Sequence, residues 1–149
     1  MLALDTDRPG VTQRDACCRF CQEGHPRPVE TGKEWPSALA SRLRALHADL
    51  KVHLKRDGES GYVEVLQLVI PADRRRRGLG TQIMSGICWH ADQNGDVLVG
   101  TPEPIHAGKP ALTGPQLRRW YRRRFGFVPN RGRRLDLDTR HTLRRSPAP

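Results

Sequence analysis

The residues with the clearest chemical content are Arg75-Arg76-Arg77-Gly78-Leu79-Gly80, a run of fixed cations leading into two glycines one residue apart. Guanidinium groups bind phosphate oxygens two at a time. Glycines allow a ligand to approach the backbone. At a strand-to-helix junction, such a loop turns free N–H groups and about half a positive charge of helix dipole toward an anion. Phosphate binding by Arg75, Arg76, Arg77, Gly78, Leu79, Gly80 and Thr81 is therefore expected. Gly-Lys-Ser/Thr is absent and no third glycine follows at dinucleotide spacing, so neither a Walker loop nor a Rossmann fingerprint is present.

A second constellation, Cys18-Arg-Phe-Cys21 with His25, resembles half of a zinc knuckle, because a C-x-x-C turn aims two thiolates at one tetrahedral ion. No fourth ligand lies nearby, and Cys17 points away from Cys18 in an extended chain. The expectation is unligated thiols and no metal. Cys88 falls on an apolar stripe and reads as core. His90 and His106 read as structural or solvated.

The elements that must position these groups follow from the pattern. At 149 residues the chain is the size of one domain. Residues 1–34 carry turn and coil signals, including Pro9-Gly10 and Gly24-His25-Pro26, and are expected to be a poorly ordered, cysteine-bearing lead-in. From Ser37, a potential N-cap, Leu39, Leu43, Leu46 and Leu50 recur at helical spacing. Two strands, Lys51-Val-His-Leu-Lys-Arg and Tyr62 through Ile70, flank the turn Asp57-Gly-Glu-Ser-Gly61. Glu64 and Gln67 lie three apart and are assigned to opposite faces. A helix follows from Gly80, with Asn94-Gly95 as its stop, then a short buried strand at Asp96-Val-Leu-Val-Gly. After an irregular stretch, a basic helix runs from Gln116 to about Arg124. A final hairpin is expected to pair Phe127-Val128 with Leu135-Asp-Leu-Asp-Thr around Asn130-Arg-Gly. The fold class is α/β with a mixed, mostly antiparallel twisted sheet flanked by helices, over residues 35–145, with 146–149 a disordered tail.

Lys and Arg number 26 against 16 Asp and Glu, and the arginines cluster at 74–77, 118–124 and 131–134. Such a field attracts polyanions without distinguishing nucleic acid from a phosphate-rich small molecule. The first residues lack a basic start followed by a long apolar run, and no stretch is long enough to span a bilayer, so a cytoplasmic protein without membrane contact is expected.

Arg75-x-x-Gly78-x-Gly80 between a strand and an amphipathic helix resembles the signature of the GNAT (GCN5-related) N-acetyltransferase superfamily, Arg/Gln-x-x-Gly-x-Gly/Ala. Leu117-Arg-Arg-Trp-Tyr-Arg-Arg-Arg-Phe-Gly-Phe127 is similar to the family's later helix running into Gly-Phe, with four residues instead of three between Tyr121 and Gly126. Gly126-Phe-Val-Pro-Asn-Arg-Gly resembles the closing hairpin of small phage and bacterial GNAT proteins. The resemblance covers about residues 37–145.

It implies acetyl-CoA as acyl donor, held through its pyrophosphate by the loop amides, with the backbone of Leu68, Val69 and Ile70 pairing with the pantetheine arm. An amine acceptor must lose a proton, since at a lysine-like pKa of about 10.4 it is neutral in roughly one molecule per thousand at pH 7. By resemblance Glu64 is the general base and Tyr121 protonates the leaving thiolate. A catalytically inactive CoA- or protein-binding domain and a basic nucleic-acid-binding module stand as alternatives.

Overall fold

The computed structural model describes residues 32–74, 78–104 and 112–148. Cys17, Cys18, Cys21, His25, Arg75, Arg76, Arg77 and His106 lie outside the described residues.

Helix α1 spans Trp35–Leu46 and starts two residues ahead of Ser37. Pro36 sits in the first turn, where its missing N–H costs nothing. Ser37 is inside the helix, and its hydroxyl donates to the Glu34 carbonyl. Trp35, Leu39, Ala40 and Leu43 form the buried stripe. Leu50 is buried as well, but beyond the helix end.

Strand β1, Lys51–Arg56, pairs antiparallel with β2, Val63–Val69. Asp57 closes their turn by accepting from the Ser60 amide and hydroxyl. Helix α2, Leu79–Asn94, ends on Gly95 at φ +69°, a left-handed cap that glycine adopts without strain. Strand β3, Leu98–Gly100, follows. Helix α3, Gly114–Phe125, opens on a capping box: Gln116 N donates to Thr113 Oγ1, and Thr113 N donates to Gln116 Oε1. Short strands β4, Val128–Pro129, and β5, Leu143–Arg145, complete the sheet.

Sheet order is β1-β2-β3-β5-β4, with β2 and β3 parallel and every other pair antiparallel. The expected α/β class with a mostly antiparallel mixed sheet is observed. One face presents Val52, Leu54, Val63, Leu98 and Leu143 to a single core shared with Leu39 of α1, Ile83, Met84 and Ile87 of α2, and Tyr121 and Phe125 of α3. Each large aliphatic side chain so buried stabilises the fold by about 1.5–3 kcal/mol.

Two arginines clamp the helices to this face. Arg56 binds Asp96 bidentately at 2.9 and 3.0 Å, and the Trp35 indole donates to the same carboxylate at 2.6 Å. Arg145 reaches Asp92 of α2 at 2.7 and 3.0 Å and the Phe125 carbonyl at the end of α3 at 2.7 Å. Ala148 N also donates to Asp92.

The closing hairpin differs from expectation. The partner of β4 is Leu143–Arg145, not Leu135-Asp-Leu-Asp-Thr. Leu135 and Leu137 are 52% and 85% exposed, so their alternation marks no buried face. Residues 130–142 instead fold around Asn130, whose amide donates to the Asp136, Thr139 and His141 carbonyls and accepts from Asp136 N. The Tyr62 hydroxyl donates to Asp136 at 2.6 Å and ties this loop to the base of β2.

Candidate functional site

β2 carries an irregularity that repositions its side chains. Along β1, His53 faces Gln67 and the next residue, Leu54, faces Val65, so Leu66 is an extra residue in β2. Glu64 is opposite Lys55 and Gln67 opposite His53. Lys55 and His53 share the exposed face of β1, and directly opposed residues share a face. Glu64 and Gln67 therefore share a face, contrary to the simple period-two reading, because the bulge shifts the alternation by one.

On the other side of β2, the parallel ladder with β3 runs only from Val63–Leu98 to Val65–Gly100. Beyond it, Leu68 and Val69 are paired to β1 alone among the described strands. A small cleft of about 20 Å3, room for little more than one water-sized group, lies where the strands part, lined by Val65, Gly100, Thr101, Tyr121, Phe127 and Leu143. A Cβ on Gly100 would stand 3.4 Å from the Val65 carbonyl, so the strands are close just below the opening.

Tyr121 is 8% exposed and lies edge-on to Trp120 and Phe127. Its hydroxyl makes no hydrogen bond among the described residues, and burial pushes the phenol up to about 12. Cys88 is buried nearby and its thiol is likewise pushed up to about 12, chiefly by burial. It sits in the core, as expected. His90 is buried, stacked on Trp35 with Nδ1 2.8 Å from the Gly86 carbonyl, in keeping with a structural role.

Glu64 is not a solitary carboxylate. Its Oε1 lies 3.0 Å from His141 Nε2, and the side chains are only 21% and 20% exposed. The other ring nitrogen, Nδ1, lies 3.1 Å from Thr101 Oγ1, which also accepts from the Thr142 amide. With the proton on Nε2, His141 donates to Glu64 and accepts from the Thr101 hydroxyl, and every group in the line is satisfied. A proton arriving at Nδ1 creates an imidazolium against a carboxylate. Thr101 directly follows β3 and lines the cleft, so the line begins where the strands separate. Neither His141 nor Thr101 was expected from the sequence. Separations of 77 and 40 residues leave no local signal, and only the loop around Asn130 brings them together.

The strand-to-helix junction follows the same strand. Gly78 is the N-cap of α2 at φ +81° with no side-chain cap, so the first N–H groups of the helix have no side chain to satisfy them there. A Cβ on Gly78 would meet nothing within 4 Å among the described residues. Gly80 lies under Ile70 and Trp120, where a Cβ would make contacts of 3.5 Å and 4.0 Å. Leu79 and Thr81 occupy the first turn with no acidic residue among them. An open, uncapped amide cluster of this sort fits a phosphate group. The three preceding arginines are outside the described residues. Arg74 contacts His47, with Nη1 3.2 Å from Nδ1.

Among the described residues no group of three or more His, Cys, Asp or Glu is placed to hold a metal. The candidate ligands Cys18, Cys21 and His25 are not described. Among the described residues no helix is long and apolar enough to cross a membrane. Together the fold and site define a mixed-sheet α/β protein with an uncapped strand-to-helix junction beside a parted pair of parallel strands. No protein-family model, curated protein or solved structure matches the chain.

Proposed function

We propose that the chain is an acetyl-CoA-dependent N-acetyltransferase of the GNAT type that transfers acetyl directly to an amine. One observation carries the reading: β2 parts from β3 at Val65 and then leads, past Ile70, into the open N-terminus of α2 at Gly78. A thioester arm laid along Leu68, Val69 and Ile70 would have its pyrophosphate at the Gly78, Leu79, Gly80 and Thr81 amides, flanked by Arg75, Arg76 and Arg77. Its acyl end would lie toward the cleft that Tyr121 and Thr101 line. A cytoplasmic location accompanies this reading.

The chemistry needs a proton acceptor on the amine side and a donor on the sulfur side. His141 Nδ1, with the ring held by Glu64, is the acceptor: the Thr101 hydroxyl gives its proton to Nδ1 as it takes one from the amine, and Glu64 acts through the ring. Tyr121 is protonated at neutral pH, as a donor must be. Full transfer from a phenol near 12 to a thiolate with an ordinary pKa of about 8.5 is uphill by about 5 kcal/mol, so Tyr121 stabilises the thiolate by donating a hydrogen bond.

The test is acetyl-CoA binding by calorimetry and thiol release with an amine panel, on the wild type, Gly78→Asp and Gly80→Asp. Binding by the wild type and loss in both folded variants supports the reading. Equal binding in all three ends it. Binding without turnover on any amine favours an inactive CoA-binding domain.

A further inference from the structure

Away from the cleft, α3 and β4 border a groove of about 780 Å3. Arg118, Arg119, Arg122 and Arg123 line one wall, and Val128 and Pro129 line the other. In a helix, residues four apart lie on one side and about 6 Å apart along the axis. Arg118 with Arg122, and Arg119 with Arg123, therefore form two parallel rows of cations. Tyr121 and Phe125 anchor α3 in the core, with the Arg119 and Arg123 row opposite them and the Arg118 and Arg122 row alongside.

All four arginines are exposed, and none forms an ion pair among the described residues. Among the described residues that line the groove there is no acidic side chain. Four guanidinium groups this close repel one another, a cost that an arriving polyanion removes. By contrast, Arg56 and Arg145 each hold an aspartate and clamp the fold. Among the described residues, Arg118, Arg119, Arg122 and Arg123 hold no such partner.

From this we infer that the α3–β4 groove binds the phosphodiester backbone of nucleic acid without reading its sequence. The choice of occupant rests on charge and on the shape of the floor. Phe127, the one aromatic residue among the described lining, is 3% exposed, so the described groove offers no open aromatic face for base stacking and binding there falls to the guanidinium groups. A net charge of +10 extends attraction beyond the groove, which suits a ligand longer than it. The inference stands on these side chains alone and is independent of acetyl transfer.

The experiment follows binding of the full chain to a labelled duplex of mixed sequence, about 20 base pairs long, by fluorescence anisotropy over a salt series. Each phosphate contacted contributes about 0.9 to the slope of log affinity against log salt. The wild type should give a slope of at least about 3, with equal affinity for two duplexes of unrelated sequence. R118Q/R122Q and R119Q/R123Q should each remove about half of that slope, the quadruple variant nearly all of it, and the four-lysine variant should retain it. A folded quadruple variant with unchanged affinity and slope overturns the inference. Competition by poly-glutamate as effective as by duplex overturns it in favour of an acidic protein partner.

Discussion

His141 Nε2 stands 3.0 Å from the Glu64 carboxylate, across 77 residues of sequence, and joins the last strand's approach loop to the second strand of the sheet. The pair fixes the His141 ring so that its other nitrogen lies 3.1 Å from Thr101 Oγ1 at the edge of the cleft. If the acetyltransferase reading holds, His141→Ala should lower kcat by about 10²–10⁴ while acetyl-CoA affinity stays level. Glu64→Gln keeps the hydrogen bond but not the charge, so its loss should be smaller. Steady-state thiol release with calorimetric binding separates the two parameters. Full turnover in a folded His141→Ala protein would remove the pair from the chemistry.

The Arg56–Asp96 clamp makes stability depend on pH in a defined direction. Burial alone would raise the Asp96 pKa, but hydrogen bonds from Arg56 and Trp35 outweigh it and hold the carboxyl below its ordinary value. A depressed folded-state pKa adds stability above the unfolded value of about 3.9 and loses it as pH falls through the folded value. Asp96→Asn should therefore cost about 1–3 kcal/mol at pH 7 and show a smaller loss of stability below pH 4 than the wild type. Urea unfolding at several pH values measures both.

The two loop glycines should respond differently to alanine. Gly78 is at φ +81°, where a side chain costs about 1–2 kcal/mol even though the space is open. Gly80 has room for a Cβ in ordinary contact with Ile70, and alanine favours a helix over glycine by up to about 1 kcal/mol. Thermal melts should show Gly78→Ala destabilised and Gly80→Ala unchanged or slightly stabilised. The reverse order would contradict the backbone described at this junction.

Cys88 should be inert in the native protein. Its thiol is buried and pushed up to about 12, so thiolate is scarce at neutral pH. Alkylation followed by peptide mapping should label Cys88 only after denaturant is added. Rapid native labelling at this residue would mean that α2 opens readily.

Much of the scaffold was legible because its signals are local. The stripe Leu39 and Leu43, the alternation of Lys51-Val-His-Leu-Lys-Arg, the stop at Gly95 and the turn at Asp57 each act over a few residues, and the structure follows them. The start of α1 was misjudged because a buried Trp35 and a first-turn proline outweigh a serine cap. The closing hairpin was misjudged because Leu135-Asp-Leu-Asp has the period of a strand, whereas four hydrogen bonds to Asn130 reward a compact loop.

The candidate site divides in the same way. Residue type and spacing by themselves determined the glycine-rich junction after β2, the basic outer face of α3 and the mixed α/β class, since each depends on neighbours along the chain. Which face Glu64 shares with Gln67, its union with His141 and Thr101, and the closing of Arg118, Arg119, Arg122 and Arg123 into a groove with Pro129 were decided only by tertiary structure. A single extra residue in β2 reverses a face, and hydrogen bonds across 40 to 77 residues form only after the sheet order is set. No short window of sequence contains that information.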